Sequence, residues 1–209
     1  MKDPYEIFKN KLFFEEVFVG WGFRHVTKEI LRVLKRDNSE TVLEVCCGTG
    51  KLSEKITRNG MEVTGIDMSR TMLDRAIKKK RAKSLIFQDA TRMSFEDEFD
   101  AAIVQIALHE MIPAIRGEVF ENMKKAVKKD GIIIVSDISH SRETTINARI
   151  NGYFVRKGEE QFLDTYPVHY HNYIKFMEIG GVRGFLEGEK IISENYFMGG
   201  HIGVIAIAN

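Results

Sequence analysis

The feature that most constrains this chain is an apolar run that ends in a glycine-rich turn. Residues 41–47, TVLEVCC, have the composition of a buried parallel strand, and Gly48-Thr49-Gly50 follows them directly. A helix is predicted over 51–58, because Asn59-Gly60 is a strong helix-ending pair. Glycines between a strand and a helix let the backbone approach a ligand closely, and the helix N-terminus favours a negative group. The segment therefore predicts a ligand-binding turn between a strand and a helix.

Strand and helix patterns continue to alternate beyond this turn. Further apolar strands are predicted over 62–66, 84–87, 101–107 and 132–138. Helices are predicted over about 70–80, with Ser69 as the N-cap, and from Pro113 to Lys128. Asp130-Gly131 is predicted to turn the chain into the last of these strands. Strands that alternate with helices of this length indicate a parallel sheet with right-handed crossovers.

The two ends of the chain differ from this alternating part. Residues 4–36 and 140–180 are predicted to be helical, whereas 190–197 and 202–208 are typical of an antiparallel hairpin. We therefore predict an α/β fold: a Rossmann-like, doubly wound, mostly parallel seven-stranded sheet with a C-terminal antiparallel hairpin and a helical cap. One domain over 1–209 would consist of N-terminal helices (1–39), a ligand-binding core (40–138), a helical insertion or cap (139–182) and a closing hairpin (183–209).

Composition limits the partners that this chain can have. Its 209 residues carry 31 Lys and Arg against 30 Asp and Glu, and a net charge of +1 provides no general attraction for a polyanion. It has no run of about 18 apolar residues that could span a membrane, and its first residues lack the apolar core of a signal peptide. Because Cys46 and Cys47 are the only cysteines, a disulfide scaffold is excluded. We expect a cytoplasmic protein with no membrane partner and no nucleic-acid partner.

Three acidic residues stand near the ends of the first three predicted strands. Glu44 precedes the glycine turn, where it would repel a pyrophosphate and suit a cation. Asp67 follows the second strand, where a carboxylate can accept both hydroxyls of a ribose, and Asp89 follows the third, where one can accept from an exocyclic amine. Ser53 stands where a nicotinamide-dinucleotide fold would have a third Gly or Ala. The set therefore favours a positively charged nucleoside, and S-adenosylmethionine is such a ligand.

Four sequence blocks resemble those of the class I S-adenosylmethionine-dependent methyltransferases. They are VLEVCCGTGKLS (42–53), GIDMSRTML (65–73), QDATRMSFEDEFDAAI (88–103) and DGIIIVSD (130–137). Two shorter stretches, Trp21-Gly-Phe-Arg-His25 and Phe197-Met-Gly-Gly200, are similar to the small-molecule branch that includes the ubiquinone/menaquinone C-methyltransferases. The resemblance implies S-adenosylmethionine as the cofactor and methyl transfer as the activity.

The resemblance also implies which residues hold the cofactor: Glu44, Cys46, Gly48, Gly50, Asp67, Met68, Asp89, Ala90 and Gln105. The two glycines would bracket the methionine moiety, and Glu44 would support the turn and the ammonium group. Asp67 would bind the ribose, and Met68 would pack on the adenine. Cys46 is a departure, because the family often has Gly at that position.

The catalytic candidates follow the fourth and fifth strands and are His109, Asp137 and His140. His109 is either a general base or a hydrogen-bonded structural histidine, and the sequence leaves both interpretations open. A base is needed only for an acceptor that carries a proton at neutral pH, because the sulfonium already activates the methyl group. No His and Asp cluster at metal-ligand spacing stands near these strands, so no metal is expected.

The acceptor is predicted to be a small, apolar or aromatic molecule that receives the methyl group by in-line transfer, because the helical ends of the chain are rich in aromatic residues. Its candidate binding residues are His169, Tyr170 and Tyr173, which either line the acceptor pocket or pack between helices. Phe13, Phe14, Phe18 and Trp21 either cap the active site or cover the sheet edge.

Two alternative functions are an RNA methyltransferase and a protein that binds the cofactor without turnover. A homodimer is also left open.

Two further motifs have a functional and a structural interpretation. Cys46-Cys47 is either a redox or metal pair or a pair of inert buried thiols, and we expect the latter. Lys78–Lys83, KKKRAK, is either a nucleic-acid patch or the solvated face of a helix, and we expect the solvated face.

Overall fold

The computed structural model describes residues 23–141, 145–161, 163–164 and 166–209. Its strands are β1 (Thr41–Val45), β2 (Glu62–Asp67), β3 (Ser84–Phe87), β4 (Phe99–Gln105), β5 (Val127–Ile138), β6 (Ile191–Phe197) and β7 (Ile202–Ala208). Its helices are α1 (Arg24–Asp37), α2 (Lys51–Arg58), α3 (Arg70–Lys78), α4 (Pro113–Ala126), α5 (Ile146–Glu160), α6 (Pro167–Glu178) and α7 (Gly181–Phe185). Short 3₁₀ turns cover Ala90–Arg92 and Leu108–Glu110. The aromatic residues Phe13, Phe14, Phe18 and Trp21 lie outside the described residues.

The strands form one sheet in the order β3-β2-β1-β4-β5-β7-β6. Strands β1 to β5 pair in parallel, and β7 runs antiparallel between β5 and β6. This confirms the predicted doubly wound, mostly parallel sheet with its antiparallel hairpin. Because β2 and β4 flank β1 on opposite sides, the strand order reverses there, and ligands in such sheets bind beyond the carboxyl ends of the strands at that point.

Alternate residues of β1 are buried on opposite faces of the sheet, as the period of two requires. Leu43 packs in an apolar cluster with Val119 of α4, whereas Val42 belongs to the cluster that includes Ile56 of α2. Glu44 is the one acid in this buried strand, and the alternation places it on the α2 side. Among the described residues, no helix is both long enough and apolar enough to cross a membrane.

The start of β5 differs from the prediction. Helix α4 ends at Ala126 instead of Lys128, and β5 begins at once with Val127. The pairing with β4 then shifts from Phe99↔Val127 to Ala101↔Ile132, so that residues 128–131 bulge out of the ladder. A Cβ at Gly131 would lie 2.4 Å from the Asp100 carbonyl oxygen. The predicted Asp130-Gly131 turn is therefore a bulge within a strand, and its glycine is needed for close backbone approach.

Candidate active site

The glycine turn after β1 depends on three residues with left-handed backbone. Cys46 has φ +57°, Gly48 has φ +52° and Gly50 has φ +71°. A Cβ at Gly50 would lie 3.1 Å from the Cβ of Ala76, so that position is also crowded. A side chain in this region of backbone conformation is strained, which gives a physical reason for the glycine that the resemblance led us to expect in place of Cys46.

Arg81 also holds this glycine turn, through its guanidinium group. Its Nη1 donates a hydrogen bond to the Thr49 carbonyl oxygen at 2.6 Å, and its Nε lies 3.4 Å from Glu54. Arg81 is 5% exposed. The prediction that Lys78–Lys83 is a solvated face is therefore wrong for Arg81, because a carbonyl turned inward by the loop needs a donor.

Asp67 joins the glycine turn to the next helix. At the end of β2, its Oδ2 accepts a hydrogen bond from the Gly48 N–H at 2.6 Å, and its Oδ1 accepts one from the Ser69 N–H at 2.7 Å. Ser69 in turn caps α3 by accepting from the Met72 N–H, as predicted. Carboxylate oxygens can each accept more than one hydrogen bond, so these contacts are compatible with ribose hydroxyls.

Glu44 is a buried acid beneath the turn. It is 4% exposed, and the Ser53 hydroxyl donates a hydrogen bond to its carboxylate. Burial raises the pKa of Glu44 to about 8, although the Ser53 hydrogen bond opposes that shift. A positive charge placed beside Glu44 would stabilise its ionised form, which agrees with a cationic ligand and not with a pyrophosphate.

Asp89 and Ala90 form the next part of this edge, after β3. The Asp89 Oδ1 accepts hydrogen bonds from the N–H and the hydroxyl of Thr91, at 3.0 and 2.8 Å, and Ala90 is 8% exposed. The Asn122 side chain of α4 donates to the carbonyl oxygens of Ala90 and Thr91. Asn122 was not predicted, because no sequence motif links a helical asparagine to a loop 32 residues away.

Gln105 supplies a buried polar atom without a partner. At the end of β4 it is in register with Ser136 of β5, and both the Gln105 Nε2 and the Ser136 Oγ are buried without a hydrogen-bond partner among the described residues. An unsatisfied buried donor is costly unless a ligand or water pairs with it. Met68, which follows β2, is 57% exposed, as a side chain that packs on a ligand ring would be.

His109 and Asp137 form a buried pair beyond β4 and β5. The His109 Nδ1 lies 2.6 Å from the Asp137 Oδ1, and both residues are at most 1% exposed. Asp137 also accepts hydrogen bonds from the N–H groups of Leu108, His109 and Ile138. Although burial alone lowers the pKa of His109, the Asp137 carboxylate and two nearby glutamates raise it to about 9. Asp137 therefore positions the imidazole through its Nδ1, and the Asp137 side chain is itself buried from solvent.

Helix α6 brings His169 and Tyr173 against His109. The imidazole rings of His109 and His169 are 5.7 Å apart at 90°, and the Tyr173 ring lies 6.4 Å from His109. Tyr170 packs on Tyr173 at 5.7 Å and is half-buried. The three predicted acceptor residues thus lie together on one helix, with His169 and Tyr173 inside the packing and Tyr170 nearer the surface.

His140 is placed elsewhere. It is exposed, its Nε2 lies 2.7 Å from the Met177 carbonyl oxygen, and it lines a surface depression together with Arg183 and Tyr196. Neither this hydrogen bond nor the depression involves His109 or Asp137.

Two glutamates complete the surroundings of the histidines. The Glu159 Oε2 lies 2.7 Å from the His169 Nε2, and its Oε1 lies 3.6 Å from the His109 Nε2. The Glu110 Oε2 lies 3.8 Å from the His169 Nδ1. The sequence predicted no metal-ligand cluster near the fourth strand, but the fold brings His169 to His109 and Glu110, and the three residues offer ligand atoms that lie within 4.8 Å of one another. The sequence could not show this, since 60 residues separate the two histidines.

The two cysteines are inert thiols at neutral pH. Burial, with the charge of Glu44 and other groups, raises the pKa of Cys47 well above its usual range. Burial also raises the pKa of Cys46, and nearby carboxylates add to the shift: Asp67, Glu110, Asp89 and Glu44. These contributions show that the glycine turn faces acids from several strand ends, including Glu110 on the histidine side.

Comparison with known proteins gives a domain match. Residues 42–131 match the family model described as a methyltransferase domain. The chain is 29% identical over 101 residues to the demethylmenaquinone methyltransferase of Beutenbergia cavernae. The aligned region covers 48% of this chain and 41% of that protein. It is 27% identical over 163 residues to the ubiquinone biosynthesis O-methyltransferase of Caulobacter vibrioides, covering 75% and 61%. The chain spans about half the length of the first curated relatives that it matches.

Solved structures with the same fold include the N-methyltransferase NodS from Bradyrhizobium japonicum in complex with S-adenosyl-L-homocysteine. The TM-score is 0.61 at 18% identity, and the match covers 89% of this chain and 86% of that one. At this identity the likeness shows the fold alone.

Proposed function

Because this chain carries a methyltransferase domain of the class I fold, we propose that it transfers the methyl group of S-adenosylmethionine to a small-molecule acceptor. The observation that carries the proposal is the position of Asp67. Its carboxylate holds Gly48 of the turn after β1 and Ser69 at the start of α3, at the strand edge that also contains Glu44 and Asp89. A ligand with a ribose and two positive charges fits such an edge.

The residues present fit the cofactor. Glu44, with its raised pKa, would be stabilised in its ionised form by the ammonium group. The buried Gln105 Nε2, which has no partner among the described residues, would be satisfied by the carboxylate of the methionine moiety. Asp67 would accept from the ribose hydroxyls, and the exposed Met68 would cover the adenine. When bound, the cofactor supplies a methyl group that its sulfonium has already activated.

The protein contributes alignment and exclusion of water. Methyl transfer is an in-line displacement, and positioning of the acceptor supplies at most about 7–11 kcal/mol of the barrier reduction. His109, held by Asp137, and the aromatic residues Tyr170 and Tyr173 would form the acceptor side. Their ring surfaces support an apolar or aromatic acceptor.

The test is transfer of labelled methyl groups. Purified protein is incubated with methyl-labelled S-adenosylmethionine and fractionated cell extract, and the label is followed in small-molecule, RNA and protein fractions. We expect label in an organic-soluble small molecule, formed with stoichiometric S-adenosylhomocysteine. Label in RNA, or cofactor binding with no product in any fraction, would contradict the proposal.

Asp74, on α3, provides the matched control variant for this assay. Asp67→Ala should transfer methyl groups more slowly than the wild type at limiting S-adenosylmethionine, because it binds the cofactor more weakly, whereas Asp74→Ala, which changes an exposed acid on α3, should retain the wild-type rate. Equal activity of the two variants would show that the transfer does not depend on the proposed site.

A further inference from the structure

We propose that His109, His169 and Glu110 form a binding site for a divalent transition-metal ion of the Zn²⁺ type. The three residues each offer one ligand atom, and these atoms lie within 4.8 Å of one another. Two of the ligands come from the 3₁₀ turn after β4, and the third comes from α6. The site stands on these contacts and does not depend on the identity of the methyl acceptor.

To hold an ion, ligand atoms that now lie within 4.8 Å of one another must approach by at most about 1.4 Å. The His169 Nδ1 lies 3.8 Å from the Glu110 Oε2. Ligand atoms around a tetrahedral Zn²⁺ with bonds of about 2.0–2.2 Å are ~3.4 Å apart. The Glu110 side chain is 28% exposed and has the freedom to make this movement, whereas the imidazoles are fixed by packing.

Each histidine has a carboxylate on its other ring nitrogen. The His109 Nδ1 is paired with Asp137 at 2.6 Å, and the His169 Nε2 is paired with Glu159 at 2.7 Å. Metal-bound histidines commonly donate their second N–H to a carboxylate, which fixes the ring and increases its basicity. The arrangement directs the His109 Nε2 and the His169 Nδ1 to the metal.

The charge of the cluster also favours a dication. Three carboxylates, from Asp137, Glu110 and Glu159, surround two imidazoles. Asp137 is fully buried, and the Glu159 side chain is 12% exposed. Buried negative charge is costly unless a cation balances it.

The surrounding structure is rigid enough to preorganise the ligands. The buried Arg116 donates hydrogen bonds to the carbonyl oxygens of Leu108 and Met111, at either end of the turn that carries His109 and Glu110. The Asn172 side chain of α6 donates to the Glu110 carbonyl oxygen at 2.7 Å. These bonds tie the turn to α6, so that the two halves of the site are held together.

The donor set selects the class of metal. Imidazole and carboxylate ligands suit Zn²⁺, Fe²⁺ or Co²⁺, whereas Mg²⁺ and Ca²⁺ take oxygen ligands. Three protein ligands leave one position of a tetrahedral ion open, as in catalytic zinc sites.

The test measures metal binding directly, with the tag-free full chain freed of metal by a chelator. Calorimetric titration with Zn²⁺ and elemental analysis after dialysis should give one ion per chain. His169→Gln should lose stoichiometric binding, and Glu159→Gln should weaken it by about 10–100-fold. His171→Gln is the matched control, because His171 is exposed on the same helix and should bind as the wild type does.

Two further measurements guard against misfolding and against other sites. Circular dichroism checks each variant, and Glu110→Gln, at the more exposed ligand, replaces His169→Gln if that variant is unfolded. Co²⁺ absorption then reports whether the bound ion has nitrogen and oxygen ligands. Less than one ion per chain would overturn the proposal, as would equal Zn²⁺ affinity in wild type and His169→Gln. Binding that is lost only in Cys46→Ala would also overturn it, because it would place the ion at the thiols.

Discussion

The Asp67 carboxylate accepts a hydrogen bond from the Gly48 N–H at 2.6 Å, so the acid expected to bind the ribose also fixes the glycine turn. The two functions are therefore coupled: a change at Asp67 alters both the shape of the turn and the affinity for the ligand.

Asp67→Ala should lower the free energy of unfolding and weaken S-adenosylhomocysteine binding, each by about 1–3 kcal/mol, because it leaves the two N–H groups without their charged acceptor. Urea denaturation and calorimetry measure the two effects. Asp74→Ala, at an exposed site on α3, should change neither quantity by more than about 0.5 kcal/mol. An unchanged stability of Asp67→Ala would show that the turn does not depend on this carboxylate.

Glu44 should make the stability of the ligand-free protein depend on pH. Burial raises its pKa to about 8 from 4.5, so the folded state binds more protons than the unfolded state between these values. The contribution of Glu44 is therefore fully present below pH 4.5 and is lost as the pH rises through about 8.

Urea denaturation of wild type and Glu44→Gln at about pH 5 and about pH 8 checks this, because glutamine does not titrate. The stability of the wild type relative to the variant should fall between the two pH values. A difference that stays constant, or that rises with pH, would show that Glu44 is ionised in the ligand-free protein.

Cys46 should tolerate small residues and reject a β-branched one. Its φ of +57° is strained for any side chain and most of all for a branched one. Cys46→Val should be less stable than Cys46→Ala by about 1–3 kcal/mol in urea denaturation. Equal stability of the two variants would mean that the backbone at this position can relax out of the left-handed region.

Two glycines should respond to alanine in opposite directions. At Gly131 a Cβ would lie 2.4 Å from the Asp100 carbonyl oxygen, so Gly131→Ala should lower the melting temperature. At Gly117, inside α4, nothing lies within 4 Å of an added Cβ, so Gly117→Ala should stabilise the protein by about 0.5–1 kcal/mol. Calorimetric melting compares the two, and a stabilised Gly131→Ala would contradict the bulge.

The sheet and its hairpin could be predicted because strand and helix patterns are local properties of the chain. The strand-end acids could be predicted for the same reason, since parallel strands bring their carboxyl ends to one edge. The bulge at residues 128–131 could not, because it depends on how β5 registers with β4. Its sequence, Asp130-Gly131, is equally typical of a turn.

His109 and His169 could be predicted as candidates, but the contacts between them could not, for a different reason. His169 and Glu159 meet His109 through the packing of α5 and α6 on the turn after β4, over 60 and 50 residues of chain. The burial of Arg81 could not be predicted either, because Arg81 stands in a run of lysines that is typical of a solvent-exposed surface. Such contacts are tertiary, and only the folded chain shows which members of a charged or aromatic run turn inward.

The central claim is that the edge formed by Glu44, Gly48 and Asp67 binds S-adenosylmethionine. Isothermal calorimetry of the purified chain with S-adenosylmethionine, S-adenosylhomocysteine and NAD⁺ tests it most directly. We expect one molecule of either sulfur ligand to bind per chain and no heat of binding from NAD⁺. Binding of NAD⁺ in their place, or no binding of either sulfur ligand by folded wild-type protein, would contradict the account.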